Sequence, residues 1–558
     1  MHRKLVLTLL LAAGISTAAL TDCGGGGGNS TSPPQATNSS PPPSQSSPPA
    51  TPAPTPQAQT DVVTYRDDAA RTGANLTESV LTPSNVNSSS FGLLRVLSVD
   101  GKVDAQPLYL SHLSIAGAPH DVVFVATEHD SVYAFDAQTG AVLWQKSLLG
   151  SGESPSDDRG CPQITPEIGV TSTPVIDRGA GSNGAIFLVA MSKDGSGSHY
   201  QRLHALDVTT GAELFNGPVT INPTYSSPAG GQKTFSPGQY AERAALLLDN
   251  KTIYTSWTSH CDAPPYSGWI VGFTEATLAQ TAVLNLAADS DSGPSIWMSG
   301  GGLAADSSGS IYLMTANGAF ETTLTSGGFP QNGDYGNSFV RLSTSGGSLA
   351  VADYFAPSNE VAESAGDEDL GSGGPMLLPD VTDSGGVVRH LMVGAGKDGN
   401  LYVINRDNMG KFSSSANADW QELDGALPGE VFSTPAYFNG TVYYGDIGAS
   451  LKSFALKSAK LASIPGSETT TQFPFPGTSP AVSANGTSNG IIWAVQNSNP
   501  AVLHAYDATD LTHELYNSSQ AAGGRDNFGA GNKFITPTIA DGMVFVGTTN
   551  GVAVFGER

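Results

Sequence analysis

The sequence predicts an all-β fold: an eight-bladed β-propeller of four-stranded antiparallel blades, with an N-terminal strand closing the last blade. Three observations predict it. First, residues 130–144 read Asp-Ser-Val-Tyr-Ala-Phe-Asp-Ala-Gln-Thr-Gly-Ala-Val-Leu-Trp. Val132 and Ala134, then Val142 and Trp144, alternate with their neighbours at the period of half-buried strands. Second, weaker copies follow, and Phe135, Leu206, Phe273, Leu342, Ile404, Phe454, Tyr506 and Phe555 mark one equivalent position every 50 to 70 residues or so. That interval suits a four-stranded blade with long loops. Third, Gln106-Pro107, Thr173-Pro174, Thr434-Pro435, Ser479-Pro480 and Thr536-Pro537 each open a short apolar run. Proline cannot donate to a ladder, so it belongs at strand starts and edges, and the innermost strand of a blade is such an edge.

Within the best copy, residues 122–127 form one strand and residues 137–140 (Ala-Gln-Thr-Gly) a tight turn. Gly140 supplies a positive φ, and Asp136 can accept from the turn's N–H groups. Residues 203–211 and 503–509 are close copies; 270–273, 339–342, 401–404, 451–454 and 552–555 keep the alternation alone. The last copy lacks a fourth strand, which residues 91–99 can supply by pairing with 552–555, leaving no open edge.

The N-terminus carries different information. Arg3 and Lys4 precede an apolar run from Leu5 to about Leu20, the pattern of a secretory signal and too short for a stable span. Residues 20–23, Leu-Thr-Asp-Cys, resemble a bacterial lipobox with Cys23 as the acylated residue; Asp22 departs from that pattern, and a cut near Ala19 would instead release a soluble protein. The expected organisation is thus a lipoprotein-type signal over 1–23, a Gly-rich then Ser/Thr/Pro-rich disordered linker over 24–61, and the propeller over 62–558. The chain is expected on the periplasmic side of the outer membrane or on the cell surface, held by a lipid anchor. Fifty acidic residues against 25 basic ones, with no Lys/Arg-rich segment, exclude nucleic acid as a partner.

Loops entering the inner strand and loops between the second and third strands share one face of a propeller. Cys161 and Cys261 fall on that rim in neighbouring blades, and an oxidising compartment permits a disulfide between them. The same rim holds Glu167, residues 259–262 (Ser-His-Cys-Asp), Trp297, Asn317, residues 367–374, Lys397, Asp398, Asp446, Arg525 and Asp526.

Residues 134–144 resemble the tryptophan-docking repeat of the quinoprotein (pyrroloquinoline quinone, PQQ) dehydrogenase-like propellers, in which the final Trp packs on the next blade. Residues 65–68 (Tyr-Arg-Asp-Asp) resemble the leader of that family. The resemblance implies roles for three residues. Asn317, after residues 300–302 (Gly-Gly-Gly), takes the place of a calcium ligand. Asp369, in residues 366–369 (Gly-Asp-Glu-Asp), takes that of the catalytic base and a weak second calcium ligand. Lys397, in residues 396–406, takes that of the cation on the quinone oxygens. A metal and a cation would polarise the quinone while a carboxylate takes the alcohol proton.

The departures from the family pattern are as specific. There is no vicinal Cys-Cys; residues 194–199 (Asp-Gly-Ser-Gly-Ser-His) stand where a calcium-binding Glu is due; Leu303-Ala304-Ala305 stand where an aromatic should stack; and there is no Cys-x-x-Cys-His haem motif. One Asn and one Asp are a thin oxygen set for calcium. Gly-x-Ser-x-Gly and His-Glu-x-x-His are absent too. The sequence therefore favours a binding or scaffold propeller that needs no cofactor and engages a protein, glycan or small ligand at the loop rim. The alternative is a divergent PQQ- and calcium-dependent alcohol or sugar dehydrogenase.

Overall fold

A computed structural model describes residues 60–558; the expected signal, Cys23 and nearly all of the linker lie outside the described residues. Eight antiparallel sheets succeed one another along the chain. Blade one is Leu108–Ile115, Ala118–Ala126, Ser131–Asp136 and Val142–Ser147. Blade two is built on Val175–Asp177, Ala185–Asp194, His199–Asp207 and Val219–Thr220, and blade three on Leu247–Asp249, Thr252–Ser259, Trp269–Thr274 and Gln280–Asn285. Blade four comprises Ala304–Ala305, Ile311–Met314, Phe339–Ser343 and Ala350–Phe355; blade five Met376–Leu377, Leu391–Ala395, Leu401–Asn405 and Gln421–Leu423. Blade six is Ala436–Phe438, Thr441–Tyr444, Ala449–Lys457 and Ser467–Phe473; blade seven Ala481–Asn485, Ser488–Gln496, Val502–Asp507 and Asp510–Asn517. Blade eight takes Thr538–Ala540, Met543–Gly547 and Gly551–Glu557 from the C-terminus and Phe91–Ser98 from the N-terminus.

The closure follows the expected pairing, with Leu97 opposite Val552 and Leu93 opposite Phe555. All eight marker residues lie in third strands and are at most 2% exposed. Each proline mark immediately precedes an innermost strand. In the hairpin of blade one, Asp136 Oδ1 accepts from the Thr139 N–H at 2.8 Å and Gly140 has φ 76°. Trp144 then docks as expected: its Nε1 donates to the Val208 carbonyl of blade two at 2.9 Å. A Cβ on Gly211 would stand 2.7 Å from the Trp144 ring, so that turn needs glycine.

One detail of the expected alternation is corrected. Ser131–Asp136 is buried along its whole length, whereas Val142 is 53% exposed. Neighbouring blades cover both faces of a third strand, so it has no wet side; the outermost strand meets solvent even at apolar positions.

The leader has a role that the pattern of side chains did not reveal. Residues 62–75 wind past the innermost strand of every blade in turn. Val62 exchanges backbone bonds with Tyr109 of blade one at 2.9 Å each, and the Val63 carbonyl accepts from Ile176 of blade two at 2.8 Å. Arg71 donates to Leu246 O at 3.2 Å and Leu303 O at 2.8 Å, at the entries of blades three and four. The carbonyls of Ala69, Ala70, Thr72 and Gly73 accept from Ala305, Leu377, Tyr437 and Val482 in blades four to seven. Asn75 Nδ2 reaches Ile539 O of blade eight at 2.8 Å. Inner strands present unpaired backbone to the channel, and a buried unpaired N–H or C=O is costly; the leader pairs with all eight and fills that end of the channel.

Candidate functional site

Cys161 and Cys261 form a disulfide with Cα atoms 5.6 Å apart, joining the rim loops of blades two and three. Tyr266 lies five residues beyond Cys261. Burial first, then the charges of Asp262 and Asp369, raise its phenol above the usual range. The Tyr266 N–H donates to Asp291 O at 3.1 Å, which ties the bridged loop to the connection into blade four.

The structure brings Asn317, Asp369 and Lys397 together, from the rim loops of blades four and five, and adds Asp367. A short helix, Glu360–Gly366, delivers the two aspartates, and Asp367 ends it at φ 62°. Lys397 Nζ lies 2.6 Å from Asp369 Oδ2 and 3.1 Å from Asp367 Oδ2. The Asn317 N–H donates to Asp369 Oδ1 at 2.8 Å, and Asn317 Nδ2 donates to Asp367 Oδ1 at 2.9 Å. Asp369 is buried, and burial, against the opposing Lys397 ammonium, raises its carboxyl above the usual range. Burial alone would lower Lys397, but Asp369 and then Asp367 raise it.

The donor chemistry of this group does not fit a calcium ion. Each of the four carboxylate oxygens already faces an N–H or ammonium donor, and the Asn317 amide presents its Nδ2 to Asp367. A hard cation needs six or more oxygens with lone pairs to give. Asp194, from the stretch where the missing Glu was due, is bonded instead to Ser196, Ser198 and Tyr200 of its own turn.

Other rim candidates hold the fold. Asp526 binds Arg525 through both oxygens, accepts from Tyr516 and receives the Leu93 N–H of the closing strand at 3.1 Å. Asp446 pairs with Lys452 at 3.2 Å and accepts from Gly429. Asp398 accepts from Tyr402 at 2.7 Å, and Glu167 meets His129 at 2.9 Å. His260 is buried, and burial followed by the Arg159 charge pushes its imidazole down to about 4, so it is neutral at pH 7.

Sequence reasoning missed most of the channel mouth. Trp297 packs edge-on against Phe432 at 5.4 Å and Phe534 at 6.2 Å, and Phe475 adds contacts at 5.6 and 6.1 Å. Arg243, 4% exposed, stacks on Phe534 at 4.5 Å. Phe475 is 48% exposed. Met298, Ser299 and Phe534 have φ of 47°, 49° and 63°, strain of the kind that concentrates at ligand clamps. A signal existed: Phe432, Phe475 and Phe534 each precede a proline mark by three to five residues.

The sequence model of the family described as outer membrane protein assembly factor BamB matches residues 68–298. Among solved structures, the quinohemoprotein alcohol dehydrogenase from Comamonas testosteroni is similar at 14% identity and a TM-score of 0.57, covering 89% of this chain and 80% of its own. The quinohemoprotein alcohol dehydrogenase ADHIIG from Pseudomonas putida HK5 is similar at 12% identity and a TM-score of 0.56, with the same coverage. A europium-containing methanol dehydrogenase gives 12% and 0.52, covering 89% of this chain and 98% of that one. No curated protein sequence matches the chain. Over residues 68–298 the chain is similar to that repeat family, and as a whole it is an eight-bladed β-propeller. Its fold is that of the quinoprotein dehydrogenases.

Proposed function

We propose that this chain is an exported binding or scaffold propeller, anchored through Cys23, whose quinoprotein-like site is degenerate. The observation that carries the reading is the wiring of Asp367 and Asp369: every carboxylate oxygen is engaged by Asn317 or Lys397. The partner, a protein, glycan or small ligand, meets the aromatic mouth formed by Trp297, Phe432, Phe475 and Phe534. An aromatic platform with one exposed ring suits an apolar side chain or a sugar face.

Equilibrium dialysis with PQQ and calcium, followed by a dye-linked assay on alcohols and aldoses, tests the reading. The expected outcome is neither binding nor turnover. Stoichiometric binding with turnover abolished by Asp369→Asn and by Lys397→Ala would overturn it. Anchoring is tested separately by labelling with a fatty-acid analogue, expected in the wild type and lost in Cys23→Ser.

The dehydrogenase reading has one observation in its favour. The three residues that the family resemblance selects, far apart in sequence, do converge, and Lys397 sits 2.6 Å from Asp369. Were the quinone to bind, it would supply the two-electron acceptor, and Asp369 would be the residue placed to take the substrate proton.

A further inference from the structure

A second carboxylate group lies at the seam of blades three and four and shares no residue with the network around Asp369. Asp289, Glu321 and Asp334 bring one carboxylate oxygen each within 4.8 Å of one another. Asp289 comes from the connection between the two blades. Glu321 and Asp334 come from the excursion between the second and third strands of blade four. Backbone bonds clamp these segments: the Tyr335 N–H donates to Leu286 O at 3.0 Å, and the Ala319 N–H to Ser292 O at 3.1 Å. Glu321 is oriented by the Asn332 N–H, which reaches its Oε2 at 2.7 Å.

An independent observation is the state of Asp334. It is only 6% exposed, and its Oδ1 has no hydrogen-bond partner. A buried carboxylate oxygen left without donor or cation is costly. The neighbouring Lys233 does not form an ion pair with it: its Nζ donates to the carbonyls of Ala287 at 3.2 Å and Ser290, and lies 4.0 Å from Asp291. Three carboxylates thus converge with oxygen lone pairs to give and no basic side chain bound among them.

We propose that Asp289, Glu321 and Asp334 form a calcium site that staples the blade three–four connection to the excursion of blade four. Calcium accepts irregular sets of oxygens and completes its shell with water or carbonyls, whereas magnesium demands near-ideal octahedral geometry.

The full chain, stripped with chelator, is titrated with calcium by calorimetry and with terbium by luminescence, for which Tyr335 is a neighbouring sensitiser. One calcium per chain is expected, with terbium displaced by calcium. Asp289→Asn should weaken the calcium Kd at least tenfold; because Asp289 is exposed, this variant should fold even if Asp334→Asn does not. Glu321→Gln should do the same, and Asp369→Asn should leave the affinity unchanged. Absence of calcium binding to the wild type overturns the site. So does binding that survives Asp289→Asn but is lost in Asp369→Asn, which would also revive the quinoprotein reading. Failure here with no PQQ binding leaves the scaffold reading intact, so the two ideas fail separately.

Discussion

Two groups of carboxylates stand at neighbouring seams of this ring, and they are wired in opposite ways. Around Lys397, the oxygens of Asp367 and Asp369 all meet N–H or ammonium donors. Around Asp334, a buried oxygen meets none, and the three acids face one another. The first group resembles the metal and base site of the quinoproteins in sequence, yet each of its carboxylate oxygens already meets a donor and an ammonium stands between the two acids. The second matches no motif and holds a buried oxygen, Asp334 Oδ1, that meets no donor. Residue identity at a family position is therefore a poorer guide to cation binding than whether the lone pairs are already used. Removing one acid from each group should accordingly have opposite consequences.

The largest expected effect concerns the bridged rim of blades two and three, which abuts the second group. The disulfide between Cys161 and Cys261 spans a separation of 100 residues and fixes the rim loop whose Tyr266 N–H donates to Asp291 O at 3.1 Å. Replacing both cysteines with serine should cost about 4 kcal/mol in urea unfolding. Calcium binding at Asp289 should weaken with it, because the Tyr266 N–H of the bridged rim donates to Asp291 O at 3.1 Å, two residues from Asp289. A loss under about 1 kcal/mol would mean that other contacts already fix the loop.

Lys397→Ala comes next. It leaves Asp369 buried beside Asp367 with its cation gone, an uncompensated charge that costs about 3 kcal/mol. Adding Asp369→Asn should recover more than half of that loss, since the two residues are in direct contact. Additive losses in the double mutant would break the description of this group as a closed ion pair.

How far the sequence revealed these regions follows from where the information is written. The ring and its closure were legible because Phe135 and its seven counterparts repeat a side-chain pattern that burial enforces. Asn317, Asp369 and Lys397 were singled out because the segments around them resemble those of the quinoprotein family. The path of the leader was not: Ala69, Ala70, Thr72 and Gly73 act through their carbonyls, which leave no periodic trace in residue type. Asp289, Glu321 and Asp334 were equally hidden, since they sit in loops of irregular length and meet only through tertiary clamps. The engagement of every oxygen of Asp367 and Asp369 required geometry, although both residues had been singled out among the rim loops.

A pH experiment sharpens the contrast on the side of the first group. Glu363, in the helix that delivers Asp367 and Asp369, is 2% exposed with both carboxylate oxygens unpaired. Burial first, then the charge of Asp398, push it up to about 8. The folded state thus binds this proton more tightly than the unfolded chain does. Stability from this group is full below about pH 4 and falls as pH rises toward 8. Between pH 6 and pH 8 the wild type should lose roughly 2 kcal/mol that Glu363→Gln does not lose. Equal slopes in the two proteins would show that the helix is held by contacts indifferent to that charge.

The smallest effect discriminates best, because its sign changes. In chelator, Asp289→Asn removes one of three mutually repelling charges from a partly solvated seam, which should stabilise the fold by about 0.5 kcal/mol. With calcium at 100 times the wild-type Kd, the wild type gains about 2.7 kcal/mol. A variant whose Kd is tenfold weaker gains only about 1.4 kcal/mol at the same concentration. The difference of about 1.3 kcal/mol exceeds the relief of repulsion, so Asp289→Asn should pass from more stable than wild type to less stable as calcium is added. Thermal melts in chelator and in calcium, run side by side, read this directly. Asp369→Asn should show no such crossing, because the carboxylate it removes is already paired with Lys397. A calcium-dependent crossing in Asp369→Asn, with none in Asp289→Asn, would exchange the roles of the two groups.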